Sequence, residues 1–158
     1  MTWMLRKSPL GEEEVRTALA ARGVSPTPQR IAIARYVLTC ETHPTAEEIF
    51  FRVRETLAGV SQATVYNTLN RLVDAGLLQT VQRSGERVRY DGNTDHHHHF
   101  LDEDTGEIHD IDPRALHVHL DDALAHALNV RRVRVTLEGR RAPVPGAPAD
   151  QRHDEPST

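Results

Sequence analysis

Cysteine is almost absent from this chain of 158 residues, which contains only Cys40. One cysteine excludes a disulfide within the chain and a zinc site built from several thiolates. Cys40 follows the largely apolar stretch ARYVLT, and we expect it to be a small core residue. Long apolar runs are missing as well: no stretch approaches the ~20 residues of a membrane-spanning helix, and the N-terminal MTWMLRKSP lacks the apolar segment of a secretory signal. We therefore expect a cytoplasmic protein with no membrane partner.

Charge is distributed unevenly behind the net charge of −4. Residues 93–130 carry one arginine against nine acidic residues, whereas residues 1–92 carry 12 lysines and arginines against 10 acidic residues. Eight of the ten histidines also lie in 93–130. Histidines mixed with carboxylates at this density are typical of a cation-binding site. A solvated acidic face, the simpler alternative, would not need so many histidines.

Helix signals dominate the first 76 residues, where a helix with a weak apolar face ends near Gly23. Three further helices each begin with a residue that caps helix N-termini: Thr27 before Pro28, Thr45 with Glu48 three residues later, and Ser61. The last helix ends at Gly76, and short strands at 77–81 and 87–90 then flank a turn at Ser84-Gly85. Helices followed by such a hairpin are typical of a winged helix-turn-helix.

The pattern changes after residue 92. Strands are predicted at 98–101, 107–111 and 131–137, with a helix from Asp112-Pro113 to about Leu128. Residues 140–158 contain four prolines and few apolar residues, and we expect a disordered tail. The predicted fold class is therefore α+β, with an N-terminal winged helix-turn-helix at 1–92 followed by a small α/β domain at 93–139.

The predicted helix at 61–74 has the pattern of a DNA recognition helix. Its apolar residues lie on one face, and the N-terminal end and the opposite face carry Gln62, Ala63, Tyr66 and Asn67. Side chains placed in this way contact base edges in the major groove. Arginines would contact backbone phosphates, and the candidates are Arg71, Arg83, Arg87 and Arg89. The alternative is an amphipathic helix whose polar face is only solvated.

Three motifs stand in order along the chain: TPQR at 27–30, HPTAEEI at 43–49 and SQATVYNTL at 61–69. Together they resemble the ferric uptake regulator family of metal-dependent repressors, and the resemblance continues through GEIHD at 106–110 to about residue 139. It implies a homodimer whose winged helices bind an inverted-repeat operator in double-stranded DNA. It also implies that the α/β domain is the dimerisation domain and that a metal site lies at the hinge.

The resemblance implies which residues hold the regulatory metal. The family's ligand positions match His43, Asp91, His97, His99 and Asp110. Both acids are aspartates, which is more like the peroxide-sensing branch than the iron-uptake branch. Because manganese- and haem-responsive relatives share much of this pattern, a manganese-uptake or haem-responsive regulator is the alternative.

Three departures from the family pattern stand out. The two CxxC pairs of a four-cysteine structural zinc site are absent, since Asp102 and Thr105 stand where the first pair would be and Arg141 stands in the second. We therefore expect no such zinc site. Ser25 replaces the basic residue that family members place before Thr-Pro, which weakens a minor-groove contact. A candidate accessory metal site is only partly matched, by His96, His98 and His117.

The residue types support this interpretation of the histidine run. Alternation along a strand sends His97 and His99 to one face and His96 and His98 to the other. Imidazole and carboxylate donors without a thiolate suit Fe²⁺ or Mn²⁺, and Zn²⁺ as well. A metal joining His43 to this run would fix the angle between two winged helices, as half-sites about one helical turn apart require. An enzyme is disfavoured because the chain has neither HExxH nor an obvious general base.

Overall fold

Four helices open the chain in the computed structural model, which describes residues 10–82 and 85–142. They are α1 (Glu12–Ala21), α2 (Pro28–Thr39), α3 (Ala46–Thr56) and α4 (Gln62–Asp74). The three predicted caps are confirmed, because the side chains of Thr27, Thr45 and Ser61 each accept a hydrogen bond from a backbone N–H of the following helix. Within the described ranges, no helix is long and apolar enough to cross a membrane.

The four helices share one apolar core. Its fully buried members are Val15, Leu19, Ile33, Ala34, Val37, Ile49, Val65, Leu69 and Leu72. The spacing of Val65, Leu69 and Leu72 turns one face of α4 towards this core, so its opposite face stays at the surface. Cys40, which we expected in the core, is only partly buried at the end of α2.

A two-stranded antiparallel sheet follows the helices, with β1 at Gln79–Val81 and β2 at Arg89–Asp91. The hairpin turn predicted between them falls partly on Arg83 and Ser84, which lie outside the described residues. Gly85 has a φ of +80°, a conformation that favours glycine in a turn. The helices and this hairpin form the expected winged helix-turn-helix.

A three-stranded sheet forms the C-terminal part, with β3 at His98–Asp102, β4 at Ile108–Ile111 and β5 at Thr136–Gly139. The strand order is β4-β3-β5; β3 pairs antiparallel with β4 and parallel with β5. The α+β fold class is therefore confirmed. The domain boundary at residue 92 stays a prediction.

The connection between β4 and β5 differs from the prediction of one helix between Asp112 and Leu128. The structure has a 3-10 turn at Pro113–Ala115 and a separate short helix, α5, at Asp122–Ala127. The physical reason is a competing cap, because the carboxylate of Asp121 accepts hydrogen bonds from two backbone N–H groups of α5 and starts a new helix there. Every residue of α5 is exposed, so no core contact supports a longer helix.

The last strand is also displaced from its predicted position. The sequence predicts a strand at 131–137, but β5 begins only at Thr136, where the backbone pairs with β3. The predicted disordered tail at 140–158 lies outside the described residues from residue 143 onward.

Ion pairs join the residues directly after β5 to the end of β3 and the turn that follows it. The Nε atom of Arg141 lies 3.2 Å from a carboxylate oxygen of Asp102, and that of Arg140 lies 3.3 Å from one of Asp104. Asp102 and Arg141 occupy positions that belong to the family's two cysteine pairs. In this chain, opposite charges therefore join the two segments at these positions.

Gly92, which follows β2, lies against the end of α2. A Cβ atom on Gly92 would lie 2.8 Å from the Cα of Leu38 and 3.0 Å from the carbonyl oxygen of Val37. Both are backbone atoms, which cannot rotate away as a side chain can. Glycine therefore allows the chain to leave β2 in close contact with α2.

We expect Gly92→Ala to lower the free energy of unfolding by about 1–3 kcal/mol, because the added methyl group forces two backbone segments apart. Gly139→Ala is the matched control: its Cβ would lie 3.9 Å from the nearest atom, so its unfolding free energy should stay within about 0.5 kcal/mol of wild type. Urea unfolding followed by circular dichroism measures both. A Gly92→Ala variant as stable as the wild type would contradict the close contact.

Candidate metal centre

Five buried side chains meet where the winged helix contacts the C-terminal sheet. Each offers one ligand atom, and these atoms all lie within 4.8 Å of one another. They belong to the residues that the family resemblance implies: His43, Asp91, His97, His99 and Asp110. None of the five is more than 3% exposed. The cluster therefore combines side chains from the loop before α3, from the end of β2, from the start of β3 and from β4.

His43 is placed by a segment that pairs with strands on both sides. Thr42 forms an isolated antiparallel bridge with β4, and Thr45 forms one with β2. The Nδ1 atom of His43 lies 2.8 Å from the carbonyl oxygen of Ile108. When Nδ1–H donates to this carbonyl, Nε2 carries the lone pair and faces the other four side chains.

The pairing of β3 with β4 places the second half of the cluster. The register sets His99 opposite Asp110, so both side chains lie on one face of the sheet. His97 lies on the same face, with its Nε2 2.9 Å from the Nε2 of His99 and its Nδ1 2.9 Å from the carbonyl oxygen of Asp95. The predicted alternation of the histidine run is therefore present.

Two buried carboxylates face these histidines. Oδ1 of Asp110 lies 3.0 Å from Nε2 of His43, and Oδ2 of Asp91 lies 3.1 Å from Nε2 of His97. Burial lowers the pKa values of His43 and His97, but the carboxylates outweigh burial, raising the pKa of His43 to about 9 and that of His97 above its ordinary value. Burial and the two neighbouring histidines lower the pKa of His99 to about 4. The cluster thus strongly favours positive charge beside its carboxylates.

The donor set fits a divalent cation. Nε2 of His43 and Oδ1 of Asp110 are buried and, apart from their 3.0 Å ion pair with each other, have no hydrogen-bond partner within the described structure. Buried polar atoms usually have further partners, and a cation beside this pair would contact both atoms. Three imidazoles and two carboxylates without a thiolate suit Fe²⁺, Mn²⁺ or Zn²⁺.

Two amide side chains support the carboxylates, and sequence reasoning missed both. Gln79 donates to Oδ2 of Asp91 at 2.8 Å and accepts from the guanidinium of Arg134. The side-chain amide of Asn93 donates to the carboxylate of Asp110, and its backbone N–H donates to that of Asp91. A glutamine in a three-residue strand and an asparagine in a Gly-Asn-Thr linker have no distinctive pattern; nearness to Asp91 along the chain was the one available signal for Asn93.

The candidate accessory set is not brought together in this structure. The rings of His96 and His98 lie 5.2 Å apart, but Nδ1 of His98 accepts a hydrogen bond from the N–H of Val135 at 3.2 Å. His117 is exposed on the segment after β4. Across residues 10–82 and 85–142, the five-residue cluster is the one group of three or more His, Cys, Asp or Glu side chains close enough to hold an ion. The second metal site therefore stays a prediction.

The residues predicted to contact DNA bases are exposed on α4: Gln62, Ala63, Tyr66 and Asn67. Arg71 is exposed as well and, with Arg30, lines a groove of about 640 Å³ between α4 and the start of α2. Arg87 differs from the expectation of a free phosphate-binding side chain, because its guanidinium pairs with the carboxylate of Glu47. That pairing offsets part of its charge.

The sequence profile of the ferric uptake regulator family matches residues 21–138, which include all five side chains of the cluster. The chain belongs to the ferric uptake regulator family. Members of this family are metal-responsive transcriptional repressors, and the resemblance seen in the sequence is confirmed.

Individual relatives agree with the family assignment. The peroxide-responsive repressor PerR of Staphylococcus aureus (strain USA300) is 39% identical over 99 residues, which cover 63% of this chain and 67% of that protein. A zinc-bound manganese uptake regulator of known structure is 29% identical, with a TM-score of 0.65 over 81% of this chain and 98% of its own. The Vibrio cholerae ferric uptake regulator, 24% identical, shares the fold with a TM-score of 0.60 over 80% and 98% of the two chains.

Proposed function

We propose that this protein is a cytoplasmic, metal-dependent repressor, and not an enzyme, in which one divalent cation controls operator binding. The cation's ligands would be His43, Asp91, His97, His99 and Asp110. The supporting observation is that these side chains come from both parts of the molecule: two belong to the winged helix and three to the strands of the C-terminal sheet or the residue before them. One ion in this position ties the two parts together.

The regulation follows from how the ligands are divided. When bound, the cation supplies positive charge to the two buried carboxylates. His43 and Asp91 then hold the winged helix, while His97, His99 and Asp110 hold the sheet. Without these bonds, the orientation of the winged helix depends on weaker contacts. Half-sites about one helical turn apart are matched only when that orientation is fixed.

The DNA-binding form is a homodimer. Five large apolar side chains in the C-terminal part are 42–51% exposed: Val118, Leu124, Leu128, Val130 and Leu137. Exposed apolar side chains in this number are typical of a region that a partner covers, and a second copy of the chain would supply that partner. A two-fold dimer presents two winged helices to an inverted-repeat operator in double-stranded DNA.

Within each winged helix, α4 reads the operator in the major groove. Gln62, Ala63, Tyr66 and Asn67 contact base edges there. Arg71 and, to a smaller extent, the Glu47-paired Arg87 contact phosphates.

Peroxide is the signal favoured by the ligand set and by the similarity to PerR. Both carboxylates of the cluster are aspartates, and the relative that supports this branch responds to peroxide. A manganese-uptake regulator is the second candidate, favoured by the 29% identity to the manganese uptake regulator. A haem-responsive regulator has no comparable support, because only His96 is exposed in the run from His96 to His99.

His97→Ala tests the metal site directly. We expect this variant to lose metal-dependent operator binding and to bind Mn²⁺ at least about 10-fold more weakly, because it lacks one ligand. It should remain dimeric, since His97 is not part of the apolar core. Fluorescence anisotropy with labelled operator measures DNA binding during Fe²⁺ and Mn²⁺ titrations, and light scattering measures the dimer.

The matched control for that experiment is His119→Ala, which removes an exposed imidazole outside both the five-residue cluster and the candidate accessory set. It should retain the metal dependence of the wild type. Wild-type metal dependence in His97→Ala, or an equal loss in both variants, would contradict the assignment of the site.

Tyr66→Ala tests the recognition helix. We expect specific operator binding to weaken by about 1–3 kcal/mol, the scale of one lost base contact, while binding to random DNA changes little. Arg71→Ala should weaken binding to both DNAs and reduce the salt dependence. Phe51→Ala, which truncates an aromatic side chain that is 50% exposed on α3, is the control. If Tyr66→Ala weakens binding to the specific operator and to random DNA equally, α4 does not read the DNA sequence.

Peroxide sensitivity should depend on which metal is bound. With Fe²⁺, which can give an electron to peroxide, we expect stoichiometric peroxide to add one oxygen atom to His43 or His97. Operator affinity should fall in proportion to the fraction of protein that is modified. With Mn²⁺, the protein should resist. Cys40 is the sole cysteine, so no disulfide within the chain can replace this response. Peptide mass spectrometry locates the oxygen, and an unmodified, DNA-bound Fe²⁺ protein would favour the manganese-uptake function.

A further inference from the structure

We propose that Asn93 positions both carboxylates of the metal centre and thereby sets the affinity of the site for its cation. This inference rests on the proposed function, because it concerns how that same centre binds its metal. The amide oxygen of Asn93 already accepts a hydrogen bond from the N–H of Asp95. Asn93 would act through the two aspartates.

Asn93 contacts the two carboxylates at the same time. Its backbone N–H donates to Oδ1 of Asp91 at 2.7 Å, and its side-chain Nδ2 donates to Oδ2 of Asp110 at 2.9 Å. Asp91 ends β2 of the winged helix, whereas Asp110 lies in β4 of the C-terminal sheet. One residue therefore sets the position of an acid from each part of the molecule.

Asn93 contacts one carboxylate oxygen of each aspartate, and the second oxygen of each aspartate faces the histidines. Oδ2 of Asp91 lies 3.1 Å from Nε2 of His97, and Oδ1 of Asp110 lies 3.0 Å from Nε2 of His43. Rotation of either carboxylate would break its hydrogen bond to Asn93. The two hydrogen bonds thus keep one oxygen of each acid directed at the ligand nitrogens.

Asn93 is itself held in place. Its Oδ1 accepts the N–H of Asp95 at 3.2 Å, and its carbonyl oxygen accepts from Nε2 of Gln79. All four of its polar groups are therefore engaged. Gly92, directly before it, lies against the backbone of α2. These contacts restrict Asn93 to one conformation, so the carboxylates are oriented before a cation binds, and less ordering is needed on binding.

The test uses Asn93→Ala in the full-length protein. This change removes the donor to Asp110 and keeps the backbone N–H that contacts Asp91. We expect Mn²⁺ affinity to fall about 10–100-fold, as is typical when a partner of a metal ligand is lost. The visible absorption of bound Co²⁺ should also change, because the freed carboxylate can rotate. Thr94→Ala, at the next and exposed position, is the matched control and should keep the affinity and spectrum of the wild type.

A purely structural role predicts a different result. The thermal unfolding midpoint measured without added metal would fall, while the Co²⁺ spectrum and the Mn²⁺ affinity of the folded protein would match the wild type. That outcome would overturn the inference. If Asn93→Ala does not fold, Asn93→Ser provides the same readouts, because its hydroxyl can still accept from Asp95 but is too short to reach Asp110.

The same titrations separate this inference from the proposed function. If wild-type protein and His97→Ala bind Mn²⁺ equally weakly, the proposed metal site fails, and the role of Asn93 fails with it. If the wild type binds tightly and His97→Ala does not, while Asn93→Ala retains wild-type affinity and spectrum, only the role of Asn93 is overturned.

Discussion

The burial of two aspartates beside His43 is the constraint on which the arrangement of this molecule depends. Carboxylates that are removed from water and placed near each other require positive charge close by, or their burial becomes very costly. His43 meets this requirement for Asp91 and Asp110, which come from different sheets. Separating the winged helix from the C-terminal sheet at this point would therefore break the two shortest carboxylate–histidine contacts, His43–Asp110 at 3.0 Å and His97–Asp91 at 3.1 Å. A cation in the same place would strengthen the connection.

The route from this centre to the DNA-contacting surface is short and consists largely of backbone. The segment that carries His43 continues directly into α3, the first helix of the helix-turn-helix. Asp91 is followed by Gly92, which lies against the end of α2, and α2 shares the apolar core with α4. Close-packed backbone and core residues transmit small displacements because they have little room to absorb them. A cation bound to His43 and Asp91 would in this way affect the orientation of the recognition helix.

The last part of the chain has a different character, because no residue from 113 to 142 is buried within one chain. The segment between β4 and β5 carries exposed apolar residues such as Leu124 and Leu128, and its single helix has six residues. At the positions of the family's cysteine pairs, Asp102 and Arg141 form an ion pair. An ion pair that is partly exposed contributes less to stability than bonds between thiolates and zinc. A second copy of the chain would provide the burial that this region lacks.

The sequence by itself determined the four helices of the winged helix, because caps such as Thr45 and the apolar stripe of α4 are local patterns. It also determined the family, and through the family the identities of the five clustered side chains. Tertiary structure alone decided that Gln79 and Asn93 support the carboxylates, that Arg87 pairs with Glu47, and that a new helix begins after Asp121. These outcomes depend on which residues meet across strands or on whether a core is available to bury a helix. Neither property is encoded in the spacing of residues along one segment, so local signals such as the capping carboxylate of Asp121 and the nearness of Asn93 to Asp91 were not sufficient to predict them.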